Sequence, residues 1–308
     1  MRVLVAGATG VIGRQLIPML KEIGHDVVAL TRAPGGPDAG YETVVADALD
    51  PKATASAVDK AEPDAVVHLL TAIPKQLNPK RLASEFAVTN RLRTEGTRNL
   101  IEAMRPAGSI RVIAQGLAYA YRPAGAQLAD EDAAFWTDGP KQFRPVVAAL
   151  LEHERLTREA GGLVLRFGHL YGPGSSYAPD GEFTRQVRGG KVPIVGGGKS
   201  VFSFTHAYDA ASAIAAALST PATGAFNVVD DDPTPMRIWL PQMAQMLGAP
   251  APKKAPAWLA RTAVGGWGVA FMTSLRGADN RHARSQLDWR PTYPSWRDGF
   301  TADLAGRH

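Results

Sequence analysis

The chain has 308 residues, 45% of them hydrophobic and 20% charged, enough for one large α/β unit or a domain with a small partner. It contains no cysteine, which excludes disulfides, thiolate nucleophiles and cysteine-metal sites, and no metal site is expected. The formal charge is +5, but Lys and Arg are scattered singly without aromatic stripes, which argues against nucleic acid and for a solvated surface or a site for anionic ligands.

The first element, "MRVLVAGATG", reads as a strand and lacks the basic start and long apolar core of a signal peptide, so a cytoplasmic protein is expected. Short apolar runs then alternate with helical patterns: "RQLIPMLKEIG", "DVVALT", "TVVAD" and, after a further helix, "DAVVHLLTA". Strands apolar on both faces and alternating with helices predict a parallel sheet covered on both sides. The pattern continues through a long helix over 81–104, a strand over 110–116, a loop, the apolar helix "FRPVVAALLEHERL" and a strand over 162–168. Six strands fit the α/β, doubly wound parallel-sheet (Rossmann) class. After "LYGPGSS" the pattern loosens, with a helix over 206–217 and the strand "GAFNVVD". Residues 1–172 therefore read as a dinucleotide-binding domain and 173–308 as a smaller, mainly substrate-facing lobe, with 200–230 returning to the sheet domain. The oily stretch 255–275 carries Arg261 and three glycines, so it reads as a packed or interface helix, not a membrane span. "APAPKKAP" (249–256) reads as a linker, and "VGGGKS" (195–200) as a glycine turn, because Pro193 stands where a phosphate-binding loop needs its first glycine.

Gly7, Gly10 and Gly13 lie between the first strand and the first helix. Glycines there let the backbone turn tightly and approach a pyrophosphate, whose charge rests on free N–H groups at the helix N-terminus. The second strand ends in Thr31 and Arg32, where an NAD-preferring site carries an acidic residue for the ribose 2′-OH. Arg pairs with a 2′-phosphate, so NADP is favoured over NAD. Asp47, after the third strand, either accepts from the adenine amino group or caps the following helix.

Several motifs occur in order: "GATGVIG", "DAVVHLLTA", "TNRLRTEGTRNLIEA", "LRFGHLYGPG", "SFTHAYDAASAI" and "SQLDWRPTYPSWRDGF". On these the chain resembles the extended short-chain dehydrogenases/reductases, the epimerase/dehydratase-like family, over nearly its whole length. The resemblance implies cofactor contacts from Gly7, Thr9, Gly10, Val11, Ile12 and Gly13, and from Leu70 and Thr71 after the fourth strand. It also implies a Tyr and, four residues later, a Lys on one helix, with a Ser or Thr at the end of the fifth strand; together they move a proton as hydride moves. Here the Tyr slot falls on Arg144 or Val146, the Lys slot on Ala148 or Leu150, and the Ser slot between Gln115 and Leu117. None carries the required group, so the chain resembles an atypical member.

Replacement groups are sought at the carboxyl ends of the strands. The candidates are Gln115, Tyr119 and Tyr121, taken as following strand five, and His169 after strand six, whose imidazole ordinarily titrates near neutrality. Glu152 is the residue of the Glu152-His153-Glu154 run chosen to face the pocket, and Asp209 is read as a helix cap. The preferred function is an NADP-dependent oxidoreductase acting on a small, rather apolar carbonyl or imine without the usual triad. A sugar-nucleotide epimerase or dehydratase and a non-catalytic or non-redox NAD(P)-binding protein are the alternatives. The partner is a small-molecule substrate, with no membrane or nucleic acid. The family implies a homodimer through sheet-covering helices, although the helix over 81–104 is heavily charged.

Overall fold

The computed structural model describes residues 1–33, 40–105, 108, 110–125 and 127–306. Its main sheet has seven strands: β1 (Arg2–Ala6), β2 (Asp26–Thr31), β3 (Glu42–Val45), β4 (Ala65–His68), β5 (Arg111–Leu117), β6 (Leu163–Phe167) and β7 (Gly224–Val228). Their order is β7-β6-β5-β4-β1-β2-β3, and every neighbouring pair is parallel. The seventh strand comes from the stretch 200–230, so this segment adds to the six strands read before residue 172. Because β1 pairs with both β2 and β4, the chain reverses its direction of winding at β1, the point where such sheets bind ligands.

Side chains alternate across a strand, so β1 feeds two cores. Val3 and Val5 pack beneath α1 (Val11–Glu22) and α6 (Ala207–Leu218), with Leu16, Leu20 and Ile214. Leu4 and Ala6 pack on the other face with Val58 of α2 (Pro51–Ala61) and Leu100 of α4 (Thr97–Met104), an element preceded in chain order by α3 (Ala87–Arg91). A third, aromatic core fills the C-terminal lobe around Phe202, Phe204, Trp239 and Trp296. It reaches the helix α5 (Arg144–Glu159) at Val146 and Leu150.

Two predicted helices differ in detail. The segment 81–104 is interrupted: between α3 and α4 lies a π turn, Leu92–Gly96, which shifts the side chains after it relative to a regular helix. The oily stretch forms α7 (Ala257–Thr273), broken at Gly265, whose φ is +71°. Part of the predicted linker is a strand, since Lys254–Ala255 pairs with Ile194–Val195. Among the described residues no helix is long and apolar enough to cross a membrane.

Candidate active site

The glycine loop is fixed by sterics. Gly7 has φ +104°, and a Cβ there would stand 2.9 Å from the Leu69 carbonyl beyond β4. A Cβ on Gly13 would stand 2.4 Å from the Ala8 oxygen and 2.5 Å from the Gly7 oxygen, so the first turn of α1 rests directly on the loop. Gly10 donates its N–H to the Gly7 carbonyl at 3.0 Å. The helix starts with no side-chain cap and no acidic residue in its first turn, while Thr9 and Gly10 are exposed, Val11 half-buried and Ile12 buried. Its N–H groups are thus open to a pyrophosphate, and the loop fits a dinucleotide. Arg14, which the sequence reading passed over, also lies here, its Nε donating to the Thr9 carbonyl at 2.9 Å. Its position one turn after Gly10 was the available signal.

Thr31 closes β2, its hydroxyl donating to the Ala33 carbonyl at 2.5 Å. Arg32 follows on the surface and joins no ion pair among the described residues. The exposed Asp47 accepts the Leu49 N–H at 3.0 Å; the cap of α2 is Asp50, which accepts from Lys52 and Ala53. Leu70 donates its N–H to His68 Nδ1 at 3.3 Å and Thr71 is exposed, both beside the glycine loop through Leu69.

On α5 the two alternative registers differ in burial. Val146 and Leu150 are both 0% exposed, whereas Arg144 and Ala148 lie at the surface. The inward Tyr and Lys slots are therefore Val146 and Leu150, two aliphatic side chains. Glu152 does not face the pocket: it pairs with Arg155 at 2.8 Å and Arg98 at 3.1 Å on the outer surface, which holds its carboxyl below the usual range. The helical turn instead buries His153 and Glu154.

Gln115 lies within β5, opposite Leu165, as the predicted span 110–116 itself required, and does not follow the strand. Its carbonyl accepts from His153 Nε2 at 3.1 Å. With that proton on Nε2, His153 Nδ1 accepts from the Thr97 hydroxyl at 2.7 Å, and Thr97 in turn accepts from His68 Nε2 at 3.0 Å. Burial drives His68 down to about 4 and His153 well below its ordinary value, so both rings are neutral at neutral pH. This relay ties the tips of β4 and β5 to α5 beneath the reacting edge.

The cation of this edge is Arg93, on the π turn. It is buried, and its Nε and Nη1 have no hydrogen-bond partner among the described residues. Burial lowers it to about 10, so it stays charged; burial raises the Tyr119 phenol two residues beyond β5 above its ordinary value, and the Arg93 charge opposes that rise in part. Tyr119 stacks on His169 with centroids 4.6 Å apart; His169 stacks in turn on Phe202 at 4.0 Å and meets Phe271 edge-on at 5.3 Å. Burial among these rings pushes His169 down to about 3, so it is a neutral wall and not a group titrating near neutrality.

Tyr121 is buried away from this edge. It donates its hydroxyl to Asn227 Oδ1 at 2.6 Å and accepts from Arg166 Nη1 at 2.7 Å, while Arg166 grips Glu154 at 2.7 and 2.8 Å. It belongs to a structural network and has no free proton to give. Asp209 is not a cap either: His206 caps α6, and the Asp209 carboxylate accepts the Thr292 and Tyr293 N–H groups at 2.7 and 3.1 Å.

The three depressed buried histidines predict acid sensitivity. Between about pH 6.5 and 4 the unfolded chain binds protons at His68, His153 and His169 that the folded chain refuses, so stability rises with pH through this window and falls on acidification. Urea midpoints should drop between pH 7 and pH 5, and His169→Phe should flatten that slope. An unchanged slope in the variant would count against the neutral ring.

The fold and the glycine cradle define a dinucleotide-binding enzyme of the Rossmann class. Residues 3–229 match the model of the NAD dependent epimerase/dehydratase family, and the chain belongs to that family. It is 49% identical over 303 residues to a 3-diazoavenalumate denitrifying reductase from a Streptomyces species, a match covering 97% of this chain and 99% of that one. It is an enzyme, a reductase of the epimerase family. In fold it resembles human epimerase family protein SDR39U1 (isoform 2) with NADPH, at TM-score 0.76 and 22% identity over 99% of both chains. It likewise resembles the UDP-glucose 4-epimerase of Thermotoga maritima, at TM-score 0.78 and 21% identity over 99% of this chain and 98% of that one.

Proposed function

We propose that this protein is an NADP-dependent reductase that replaces the diazo group of an aromatic substrate by hydrogen. The observation that carries this reading is the pair Val146 and Leu150, both 0% exposed, on the face where the family keeps its proton-transferring Tyr and Lys. Reduction of a carbonyl leaves an alkoxide that must be protonated. A diazo arene makes no such demand. In its arenediazonium form, Ar–N₂⁺ and a hydride give Ar–H and N₂: the C–N bond breaks, a C–H bond forms, the arene is reduced, and no proton leaves the protein. The likeness to a denitrifying reductase over nearly the whole chain supports this substrate class.

A bound reduced nicotinamide supplies the hydride. Gly7, Thr9, Gly10, Val11, Ile12 and Gly13 would hold its pyrophosphate at the N-terminus of α1, with Arg14 beside them, and Leu70 and Thr71 would contact the cofactor from the adjoining end of β4. Arg32 takes the 2′-phosphate and Asp47 the adenine. The half-buried Tyr119, backed by the buried rings of His169 and Phe202, offers a dry aromatic ring to a planar substrate. A carbonyl or imine substrate is the second reading; it is supported by Tyr119, a phenol beside this edge that burial keeps protonated, with the buried Arg93 only partly opposing that shift.

Purified protein given NADPH and a panel of diazo arenes, ketones and imines should oxidise NADPH with the diazo arenes. Oxidation confined to the ketones or imines would favour the second reading. Arg32→Glu should raise the KM for NADPH tenfold or more, given about 1.5 to 3 kcal/mol for a hydrogen bond to a charged group, and should narrow the preference over NADH. Unchanged KM values for both cofactors would remove Arg32 from the 2′-phosphate.

A further inference from the structure

The chain buries two arginines near β5 and β6, and the contrast between them is informative. Arg166 is satisfied on every side, by both Glu154 oxygens, the Tyr121 hydroxyl and the Glu131 carbonyl. Arg93 is just as buried, at 3% exposure, yet no carboxylate pairs with it among the described residues, and its Nε and Nη1 meet no acceptor. A guanidinium cannot shed its charge as a buried lysine can, so an unpaired one carries a large desolvation penalty. Buried donors left open in this way need an explanation, and a ligand that completes them is one.

The backbone that presents Arg93 is also unusual. The π turn Leu92–Gly96 interrupts the segment between α3 and α4, and such turns recur at functional sites. The Arg93 carbonyl lies 2.6 Å from the Thr97 hydroxyl oxygen and 3.2 Å from His153 Nδ1, so the turn packs closely against α5. The guanidinium serves an edge whose other polar rings are uncharged, His68, His153 and His169 alike. Beyond Tyr119 the surroundings are aromatic, with His169, Phe202 and Phe271 in sequence.

We infer that Arg93 is the substrate's anion anchor: it receives a carboxylate attached to the aromatic body that lies against Tyr119. The inference rests on the proposed reductase reading for the aromatic body, and on Arg93 itself for the charge. The cofactor's phosphates have their own cradle at the start of α1, so they leave this cation to the substrate. A desolvated Arg–carboxylate pair is strong and directional, which suits a reaction that needs its substrate oriented and has no Tyr and Lys to do it.

The test is binding, so it does not depend on turnover. With the protein saturated with NADP⁺, cinnamate and its neutral amide are titrated by calorimetry. The wild type should bind the acid at least tenfold more tightly than the amide. Arg93→Met should erase that preference with its NADPH affinity unchanged within twofold, and Arg93→Lys should keep part of it. Equal binding of acid and amide by the wild type overturns the inference, and so does an acid preference that survives in Arg93→Met. If Arg93→Met does not fold, the wild-type comparison together with Arg93→Lys decides: the acid preference present in the first and reduced in the second supports the anchor, and its absence from the first rejects it. A wild type that prefers the acid but leaves diazo arenes unreduced would keep this inference and sink the proposed function. Diazo reduction without an acid preference would do the reverse.

Discussion

Restoring the family's pair, by Val146→Tyr with Leu150→Lys, will destabilise the protein and return no carbonyl reductase activity. Both positions are fully enclosed in the aromatic core, beside Phe143 stacked on Trp267 at 3.8 Å. Overpacking of this kind costs about 1 to 3 kcal/mol. The lysine adds more, because the carboxylate one turn along, Glu154, already gives both oxygens to Arg166, and the nearby Arg93 is of like charge. A buried ammonium without a partner costs several kcal/mol or loses its proton. Urea unfolding should show a markedly lower midpoint, and NADPH should remain unoxidised with ketones. A double variant of wild-type stability that reduces ketones would mean that the site had merely lost two side chains. The account here is different: the surroundings have been rebuilt around their absence.

Gly13→Val will abolish cofactor binding. A Cβ at Gly13 collides with the Ala8 and Gly7 oxygens at 2.4 and 2.5 Å, so the loop must move off α1 and carry the pyrophosphate N–H groups with it. Loss of several such bonds, each worth about 1.5 to 3 kcal/mol when the acceptor is charged, lowers NADPH affinity by roughly a hundredfold or more. Gly10→Ala is the control, since its nearest contact is the Gly7 oxygen at 3.2 Å. Equilibrium titration of NADPH fluorescence should show near-complete loss in the first variant and a milder one in the second. Similar affinities in both would remove the loop from the phosphate site.

What could be read in the sequence was what local sterics and periodicity dictate. The doubly wound sheet follows from apolar runs such as "RVLVA" and "AVVH", and the cradle follows because Gly7, Gly10 and Gly13 have one shared reason to be glycine. The empty catalytic helix was visible too, but not its register, because only burial separates Val146 and Leu150 from Arg144 and Ala148. The errors came where a residue's state is set from far along the chain. His169 is neutral because Phe202 and Phe271 close on it, and Tyr121 is engaged because Asn227 and Arg166 reach it. Glu152 turns outward and Glu154 inward because two residues along α5 rotate a side chain by about 200°. Arg93 was hidden in a segment that read as a long, heavily charged helix; the π turn that buries it has no periodic signature.

The central claim is that hydride transfer proceeds here without a proton from the protein. The direct measurement is the ratio of N₂ released to NADPH oxidised with a diazo arene, in the wild type and in Tyr119→Phe, which keeps the ring and removes the only phenol argued to lie at the reacting edge. One N₂ per NADPH in both proteins, with kcat within threefold, is the predicted result. Loss of turnover in Tyr119→Phe, or NADPH oxidised without release of N₂, would contradict it.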